Sequence, residues 1–397
     1  MNEIPQPVTI LGSTGSIGQS TLDVIRRHRD KYAVYGLTAK SSVDDMFAQC
    51  VEFTPEIAVM RDEESAVALA TRLKQAGSRT RVAGGLQALI EVAGSDDSRI
   101  VMAAIVGGAG LAPTLAAAVA GKRILLANKE ALVMSGALFM QALEKSGAVL
   151  LPIDSEHNAI YQCLANGSQE HARGIRRVWL TASGGPLLRT PVDELGRVTP
   201  DEACAHPNWK MGRKISIDSA TMMNKGLELI EACWLFGVPK TQIEIVIHPQ
   251  SIVHSMVEYI DGSTVAQLGN PDMRTPIAHG LSWPDRITSG VNGLDPVEAG
   301  RLDFEAVDYA RFPCLGLARQ VAGTTQSASI VLNAGNEVAV QAFLDELIRF
   351  TDIPLVIESV LERTGSHEVR TIEDVFALDA EAREYSREAL KRFGGAA

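Results

Sequence analysis

A surplus of basic residues is what this sequence most plainly lacks. Across 397 residues, 37 Lys and Arg face 48 Asp and Glu, for a formal net charge of −11. A nucleic-acid binder normally shows a basic face, so that class is set aside. An anionic small molecule is not excluded, because a local cluster of cations can sit on an acidic protein. Cysteine is also sparse: Cys50, Cys163, Cys204, Cys233 and Cys314 are scattered, and no two form a Cys-x-x-Cys. An odd, dispersed set fits reduced thiols in a cytoplasm better than a disulfide framework or a zinc site. The opening Met1-Asn-Glu-Ile-Pro-Gln-Pro7 has neither a basic stretch nor an Arg-rich amphipathic pattern. No signal or transit peptide is expected from it. Long apolar runs are rare, and internal repeats and low-complexity tracts are missing. One uncharged run, Ile100 to Gly121, is long enough to span a bilayer, but Gly107, Gly108, Gly110 and Pro113 interrupt it. A buried strand, a glycine loop and a helix are expected there instead of a membrane span.

What is present is ordinary for a globular chain, 46% hydrophobic and 21% charged, with length for two or three domains. Val8 to Leu11 is a short apolar run ending in Gly12-Ser-Thr-Gly15-Ser-Ile-Gly18, and Gln19 to His28 has helical periodicity. Strand, glycine loop and helix is the context of a dinucleotide site, where glycine lets the backbone approach a pyrophosphate and the helix start offers N–H groups. Ser13, Thr14 and Ser16 add hydroxyls. The spacing is G-x-x-G-x-x-G, and alone it is a weak signal. Tyr32 to Thr38 reads as the next strand. An NAD site usually has an acid at that strand's end; here stand Ala39-Lys40-Ser41-Ser42, suited to the 2′-phosphate of NADP. The bland alternative is that Ser41 or Ser42 caps the following helix.

Strand-like and helical segments then alternate: Ile57 to Met60, Glu63 to Gln75, Arg99 to Val106, Thr114 to Ala120, Arg123 to Ala127, and Ala131 to Lys145. This alternation predicts a parallel doubly wound sheet. Asn128-Lys129-Glu130 follows a strand, where such sheets bind ligands. Lys129 falls in a first helical turn, against the helix dipole, which favours a functional lysine over a structural one. Next, Leu150 to Ile160 carries Asp154 and Glu156. Read as extended chain, their side chains share a side, and paired carboxylates suit Mg²⁺ or Mn²⁺. A solvated polar turn is the competing reading.

Further on, His206-Pro-Asn-Trp209-Lys-Met211-Gly212 reads as a mobile loop with Trp209 as packing or lid. In Asp218-Ser219-Ala-Thr-Met-Met-Asn224-Lys225-Gly-Leu-Glu228, either Asp218 or Ser219 can cap a helix ending before Gly237. Asn224, Lys225 and Glu228 share one helical face, as a site or as a surface ion pair. Asp261-Gly262 signals a hairpin. Gly269 to Pro276 reads as a loop and Trp283 to Pro296 as a linker. Val331 to Phe350, Pro354 to Arg363, Ile372 to Phe376 and Asp379 to Arg392 read as a small helical domain.

Taken together, several strings resemble one family. They are Thr9 to Gly18, Ala127 to Glu130, Leu151 to Asn158, Ser183-Gly-Gly-Pro186, His206 to Trp209, Asp218 to Glu228, His248-Pro-Gln-Ser-Ile-Val-His254 and Asn333-Ala-Gly-Asn-Glu337. The family is 1-deoxy-D-xylulose 5-phosphate reductoisomerase. The resemblance implies an α/β enzyme: an N-terminal Rossmann-like doubly wound NADPH-binding domain over 1–152, a central α/β catalytic and dimerisation domain over 153–285, a linker over 286–315 and a C-terminal helical domain over 316–397. It implies rearrangement of a ketose phosphate, by retro-aldol cleavage and re-addition, followed by reduction by NADPH. Asp154, Glu156 and Glu228 would hold Mg²⁺ or Mn²⁺. Lys129, Ser155, Glu156, Ser183, His206, Ser219, Asn224, Lys225 and Glu228 would meet substrate, with Trp209 and Met211 covering it; Lys129, Asp154, Glu156 and Glu228 would be catalytic. Gly12, Ser13, Thr14, Gly15, Ser16, Ile17, Ala39, Lys40, Ser41, Asn128, Glu130, Gly212 and Met273 would meet NADPH. The expected setting is a cytoplasmic homodimer with no nucleic-acid or membrane partner. A dehydrogenase acting on a phosphorylated sugar without rearrangement, or a non-catalytic NADPH sensor, are the rival readings; the sensor leaves the acids and Lys129 unexplained.

Overall fold

The computed structural model describes residues 4–164, 174–209 and 211–393. Two compact units emerge. One comprises Met1–Ala131, Phe139–Asn158 and Asp272–Asn292; the other comprises Leu132–Leu138, Ala159–Pro271 and Gly293–Ala397. The first therefore runs past residue 152 to Asn158 and takes in a later segment as well.

The first unit is built on seven strands: β1 (Gln6–Leu11), β2 (Tyr32–Ala39), β3 (Ile57–Met60), β4 (Arg81–Gly84), β5 (Ile100–Ala103), β6 (Arg123–Leu126) and β7 (Val149–Pro152). Their order is β4-β3-β2-β1-β5-β6-β7, and every neighbouring pair is parallel. Successive strands step outward from β1 on one side, then from β5 on the other, so the order reverses between them. Ligands bind at the carboxyl ends of the strands beside such a reversal. Parallel strands covered on both faces read as continuous apolar runs; Val8, Ile10, Leu11, Val101 and Met102 have no solvent exposure. The uncharged run from Ile100 resolves into β5, a short turn at Gly108–Gly110 and the helix Leu111–Val119. Among the described residues no helix is long and apolar enough to cross a membrane.

The second unit carries β8 (Ile175–Ala182), β9 (Ile243–Ile247), β10 (Val253–Tyr259), β11 (Thr264–Leu268) and β12 (Glu305–Ala306), ordered β11-β10-β8-β9-β12. Only β8 and β9 run parallel; the other pairings are antiparallel. The β10–β11 hairpin turns at Gly262, whose φ of 89° suits glycine. The helix Pro313–Val321, which the sequence reading does not include, is followed by the expected helical set as Gln326–Leu344, ending short of Phe350, Ile353–Arg363 and Ile372–Phe393. Val331, Val340, Ile357, Val360, Val375 and Ala382 from the last three are buried.

Four local expectations are corrected. Asp154 and Glu156 do not lie in extended chain: the helix Ser155–Cys163 begins immediately after Asp154. Asp218 and Ser219 do not cap a helix but lie inside Arg213–Ala220; a second helix, Met223–Phe236, begins after Met222 turns left-handed. The loop expected up to Pro276 gives way to the helix Arg274–Ser282. Ile372–Phe393 is continuous where two helices were expected.

Candidate active site

The glycine loop after β1 is shaped by close approach. Gly12 sits at φ 82°, and a Cβ there would lie 2.7 Å from the Ala104 carbonyl oxygen. The Gly12 N–H donates to Thr38 Oγ1 (2.9 Å), and the Ser13 N–H to the Thr38 carbonyl (2.8 Å), tying the loop to β2. The helix Ser16–Arg27 starts at a glycine cap, Gly15, which brings no side chain of its own. That combination is a cradle for a pyrophosphate. Ser13 is fully buried and its hydroxyl donates to Gln49 Oε1 (2.7 Å), so its side chain shapes the loop from inside. Thr14 is half-buried and Gly15 and Ser16 are exposed, while Ile17 is half-buried. At the end of β2, Ala39 is buried and Lys40 and Ser41 are exposed. Ser42 is the cap residue of Val43–Phe53, yet its hydroxyl makes no capping bond. These residues fit a phosphorylated dinucleotide.

At the end of β6, Asn128 caps the helix Lys129–Ser146, its Oδ1 accepting from the Ala131 N–H (3.1 Å). Its amide donates to the carbonyls of Gly107 (3.1 Å) and Ile105. The side chain is thus spent on holding the loop after β5. Lys129 opens the helix with Glu130, and both are buried. The misfit of a cation in this turn is answered by Asp154, whose Oδ2 lies 2.7 Å from Lys129 Nζ.

Asp154 ends the β7 segment and accepts the Glu156 N–H at its Oδ1 (3.4 Å), while the Asn158 N–H donates to its carbonyl (2.8 Å). The two acids come together because one precedes a helix and the other stands in its first turn. A carboxylate oxygen from each lies within 4.8 Å of the other, and both side chains are half-buried. Ser155 donates its hydroxyl to Glu156 Oε2 (2.5 Å). Hard oxygen donors at this spacing suit a divalent ion. Asn158 anchors the start of the helix, donating to the Pro152 carbonyl (2.8 Å) and meeting His279 Nδ1 at 3.1 Å.

In the second unit, Gly185 approaches the Ser219 backbone so closely that a Cβ would lie 2.5 Å from the Ser219 carbonyl oxygen. This sets Ser183-Gly-Gly beside Ser219, which is itself buried. Ser183 Oγ accepts from the Gly185 N–H (3.1 Å) and meets His206 Nε2 at 2.9 Å. His206 Nδ1 accepts from the N–H groups of Asn208 (3.1 Å) and Trp209 (3.0 Å). That fixes the tautomer: Nε2 carries the proton and donates to Ser183, whose own hydroxyl hydrogen is left to point at an anion. Burial holds the His206 pKa below its ordinary value, which keeps the ring neutral. The Trp209 ring is half-buried, its centroid 6.3 Å from that of His254. Met211 is half-buried and Gly212 exposed, at the cap of Arg213–Ala220; Lys210 lies outside the described residues.

On Met223–Phe236, Glu228 accepts from Asn224 Nδ2 (2.5 Å) and from Lys225 Nζ. Lys225 and Glu228 are 3% and 1% exposed, so the surface-pair reading fails. A buried carboxylate–lysine pair is costly to assemble and needs a further reason to exist. Glu231, three residues further along the same helix, is equally buried, at 1%.

Three family models match the chain: 1-deoxy-D-xylulose 5-phosphate reductoisomerase over residues 8–136, its C-terminal domain over 150–236, and the DXP reductoisomerase C-terminal domain over 268–385. A 1-deoxy-D-xylulose 5-phosphate reductoisomerase from Pseudomonas paraeruginosa is 58% identical over 393 residues, covering 98% of this chain and 99% of that one. One from Pseudomonas putida is 59% identical, with 98% of each chain covered. The chain belongs to the 1-deoxy-D-xylulose 5-phosphate reductoisomerase family. A family structure solved with NADPH, fosmidomycin and magnesium superposes with a TM-score of 0.94 at 48% identity, over 97% of this chain and 98% of that one. The Zymomonas mobilis enzyme with NADPH gives 0.91 at 47% identity, covering 98% and 99%.

Several residues that shape these family sites escape a motif search. Thr38 and Gln49 each hold the glycine loop through two bonds from other elements. Lys214 pairs with the buried Asp218 at 2.9 Å, and Asn336 donates to the same carboxylate at 2.8 Å. Lys214 and Asp218, four apart, carry a signal in the sequence; Asn336 shows there only as part of the string Asn333 to Glu337. Met273, at the cap of Arg274–Ser282, stands beside Asp272 and Arg274, which form an ion pair extended to Asp23.

Proposed function

We infer that this chain carries out the family's reaction. It rearranges the carbon skeleton of 1-deoxy-D-xylulose 5-phosphate and reduces the product to 2-C-methyl-D-erythritol 4-phosphate, using NADPH and a divalent metal, in the non-mevalonate isoprenoid pathway. The observation that carries this reading is the near full-length likeness to a family structure solved with NADPH, fosmidomycin and magnesium. When bound, the divalent ion supplies a Lewis acid and NADPH a hydride donor.

The division of labour among residues is our assignment. Asp154, Glu156 and Glu228 hold the ion; three carboxylates are a donor set that a hard cation accepts while positions stay open for substrate. Lys129 balances Asp154 and stabilises negative charge that develops on a substrate oxygen. Ser155 steadies Glu156 and reaches substrate. Ser183, with its free hydroxyl hydrogen, joins Ser219, Asn224 and Lys225 in binding the substrate's phosphate, an anion that an acidic protein admits only through such a local cluster. His206 sets the backbone of 208 and 209, so that Trp209 and Met211 cover the bound substrate and exclude water. The loop Gly12 to Ile17 cradles the pyrophosphate, Ala39 to Ser41 meet the adenosine end, and Asn128, Glu130, Gly212 and Met273 line the rest of the cofactor's path.

By this reading 1–152 is the cofactor domain, 153–285 the catalytic and dimerisation domain, 286–315 the linker and 316–397 the helical domain. The active form is a homodimer in the cytoplasm; the free state of all five cysteines supports that compartment. The deciding test is NADPH oxidation with 1-deoxy-D-xylulose 5-phosphate, with and without a chelator, and NMR of the product skeleton. A branched product formed only with metal supports the assignment. An unbranched reduced sugar would contradict it.

A further inference from the structure

We propose that Arg61 is a second cation for the adenosine 2′-phosphate of NADPH, acting with Lys40 across the ends of two neighbouring strands. The proposal rests on the reading of Lys40 given above, and adds a residue from a different strand. β2 and β3 pair in parallel with Ala39 opposite Met60, so they end side by side. The next residues are Lys40 on one and Arg61 on the other. Their backbones are tied as well: the Arg61 N–H donates to the Ala39 carbonyl at 2.8 Å, and the Asp62 N–H to the Lys40 carbonyl at 3.2 Å. The carboxyl edge of a doubly wound sheet is its ligand edge.

Both side chains are exposed, and among the described residues neither has an ion-pair or hydrogen-bond partner. Two cations at neighbouring strand ends repel each other, which favours an anion between them. Two of the nearby acids are turned elsewhere, while Asp62 follows Arg61 directly, at the cap of Glu63–Gln75 with no capping bond of its own. Glu63 leans towards β4, its Oε1 3.6 Å from where a Cβ would stand on Gly85. Asp44 is engaged by Arg72. A phosphate monoester carries close to two negative charges near neutral pH. One lysine neutralises part of that, and a guanidinium adds a planar fork that matches phosphate oxygens in pairs. NADH lacks this phosphate, so the pair acts on cofactor choice and not on the chemistry.

Equilibrium binding of NADPH, NADH and 2′,5′-ADP to the purified protein and to Arg61→Ala, Lys40→Ala and Arg61→Lys tests the idea, with thermal melting to confirm folding. Arg61→Ala should weaken NADPH and 2′,5′-ADP about tenfold, the scale of a lost charge-assisted contact. NADH affinity should hold, Arg61→Lys should retain part of the loss, and the salt dependence of 2′,5′-ADP binding should become shallower. If Arg61→Ala leaves NADPH affinity intact, or weakens NADH equally, Arg61 is not a 2′-phosphate ligand. A selective loss in Lys40→Ala alone would overturn Arg61 and keep Lys40. No selective loss in either would overturn both.

Discussion

Lys129 Nζ stands 2.7 Å from Asp154 Oδ2, with only 7% and 15% of the two side chains open to solvent. The lysine opens a helix after β6 and the acid ends the segment after β7, so the contact joins two adjacent strand ends. It places a fixed positive charge beside a carboxylate assigned to a metal. With Glu156 also close, the lysine offsets repulsion between the acids as well as acting on substrate.

Replacing Lys129 with Gln should therefore have two effects that can be separated. Metal-free stability should fall by about 2 kcal/mol, below the usual cost of orphaning a fully buried charge because Asp154 keeps some solvent. Added Mg²⁺ should stabilise the variant more than the parent, since the ion takes over the neutralising role. Turnover should stay at least about a hundredfold down, because charge stabilisation at the reacting centre is lost. Urea unfolding with and without Mg²⁺, beside steady-state kinetics, measures both. Unchanged metal-free stability would show that the pair is incidental.

The loop at His206 gives a pH prediction. Its Nδ1 is an acceptor for two backbone N–H groups, so protonating it removes both bonds. Burial places its pKa below the ordinary 6.5. The loop is thus intact at neutral pH, and KM for the sugar phosphate should rise as pH falls below 6.5 towards that lowered value. Trp209→Ala should raise KM and slow turnover at all pH values, while changing stability by no more than about 0.5 kcal/mol, as for a side chain outside the core. A large drop in melting temperature for Trp209→Ala would mean that the ring is a core element instead of a cover.

His279 carries a second pH effect, on stability. Burial, reinforced by Arg286, pushes its pKa down to about 4 from 6.5. The unfolded chain then binds more protons between those values, so stability rises with pH across the window and is lost as pH falls from 6.5 towards 4. The upper bound is about 3 kcal/mol at 1.36 kcal/mol per pKa unit. His279→Gln keeps an acceptor for Asn158 and removes the titration. Urea midpoints at pH 6.5 and 4.5 should differ less in the variant than in the parent; an equal slope would place the acid sensitivity elsewhere.

How much of this could be read beforehand depended on where the information lay. β3 and the helix Glu63–Gln75 matched expectation residue for residue, because an uninterrupted apolar run and a clean helical period are local signals. β4 and the helix Gly85–Gly94 gave no such signal: the strand is short and only half-buried, and the helix follows paired glycines that read as a breaker. The break at Met222 was hidden because a methionine at φ 60° is a conformation imposed by tertiary packing, not by its own preference. The acid pair is legible in the sequence, but its geometry is not. Alternation in a strand suggested that Asp154 and Glu156 face one way, whereas a helix start brings them together. The roles of Asn128 and Ser13 as internal braces depended on partners more than 20 residues away, as the 21-residue step to Gly107 shows.

The third metal ligand is the most exposed point of the functional assignment. Glu228 and Glu231 lie three apart on one helix and are equally buried, so exposure does not separate them. Glu228 is distinguished by Asn224 and Lys225, polar groups suited to a phosphate beside the metal. Mn²⁺ binding measured by calorimetry, paired with turnover against Mg²⁺ concentration, should be compared for Glu228→Gln and Glu231→Gln. Glu228→Gln should lose at least about tenfold in metal affinity and most metal-dependent turnover, with NADPH binding and folding retained, as expected when one of three charged ligands goes. Glu231→Gln should lose far less. A larger loss of metal affinity in Glu231→Gln would contradict the assignment.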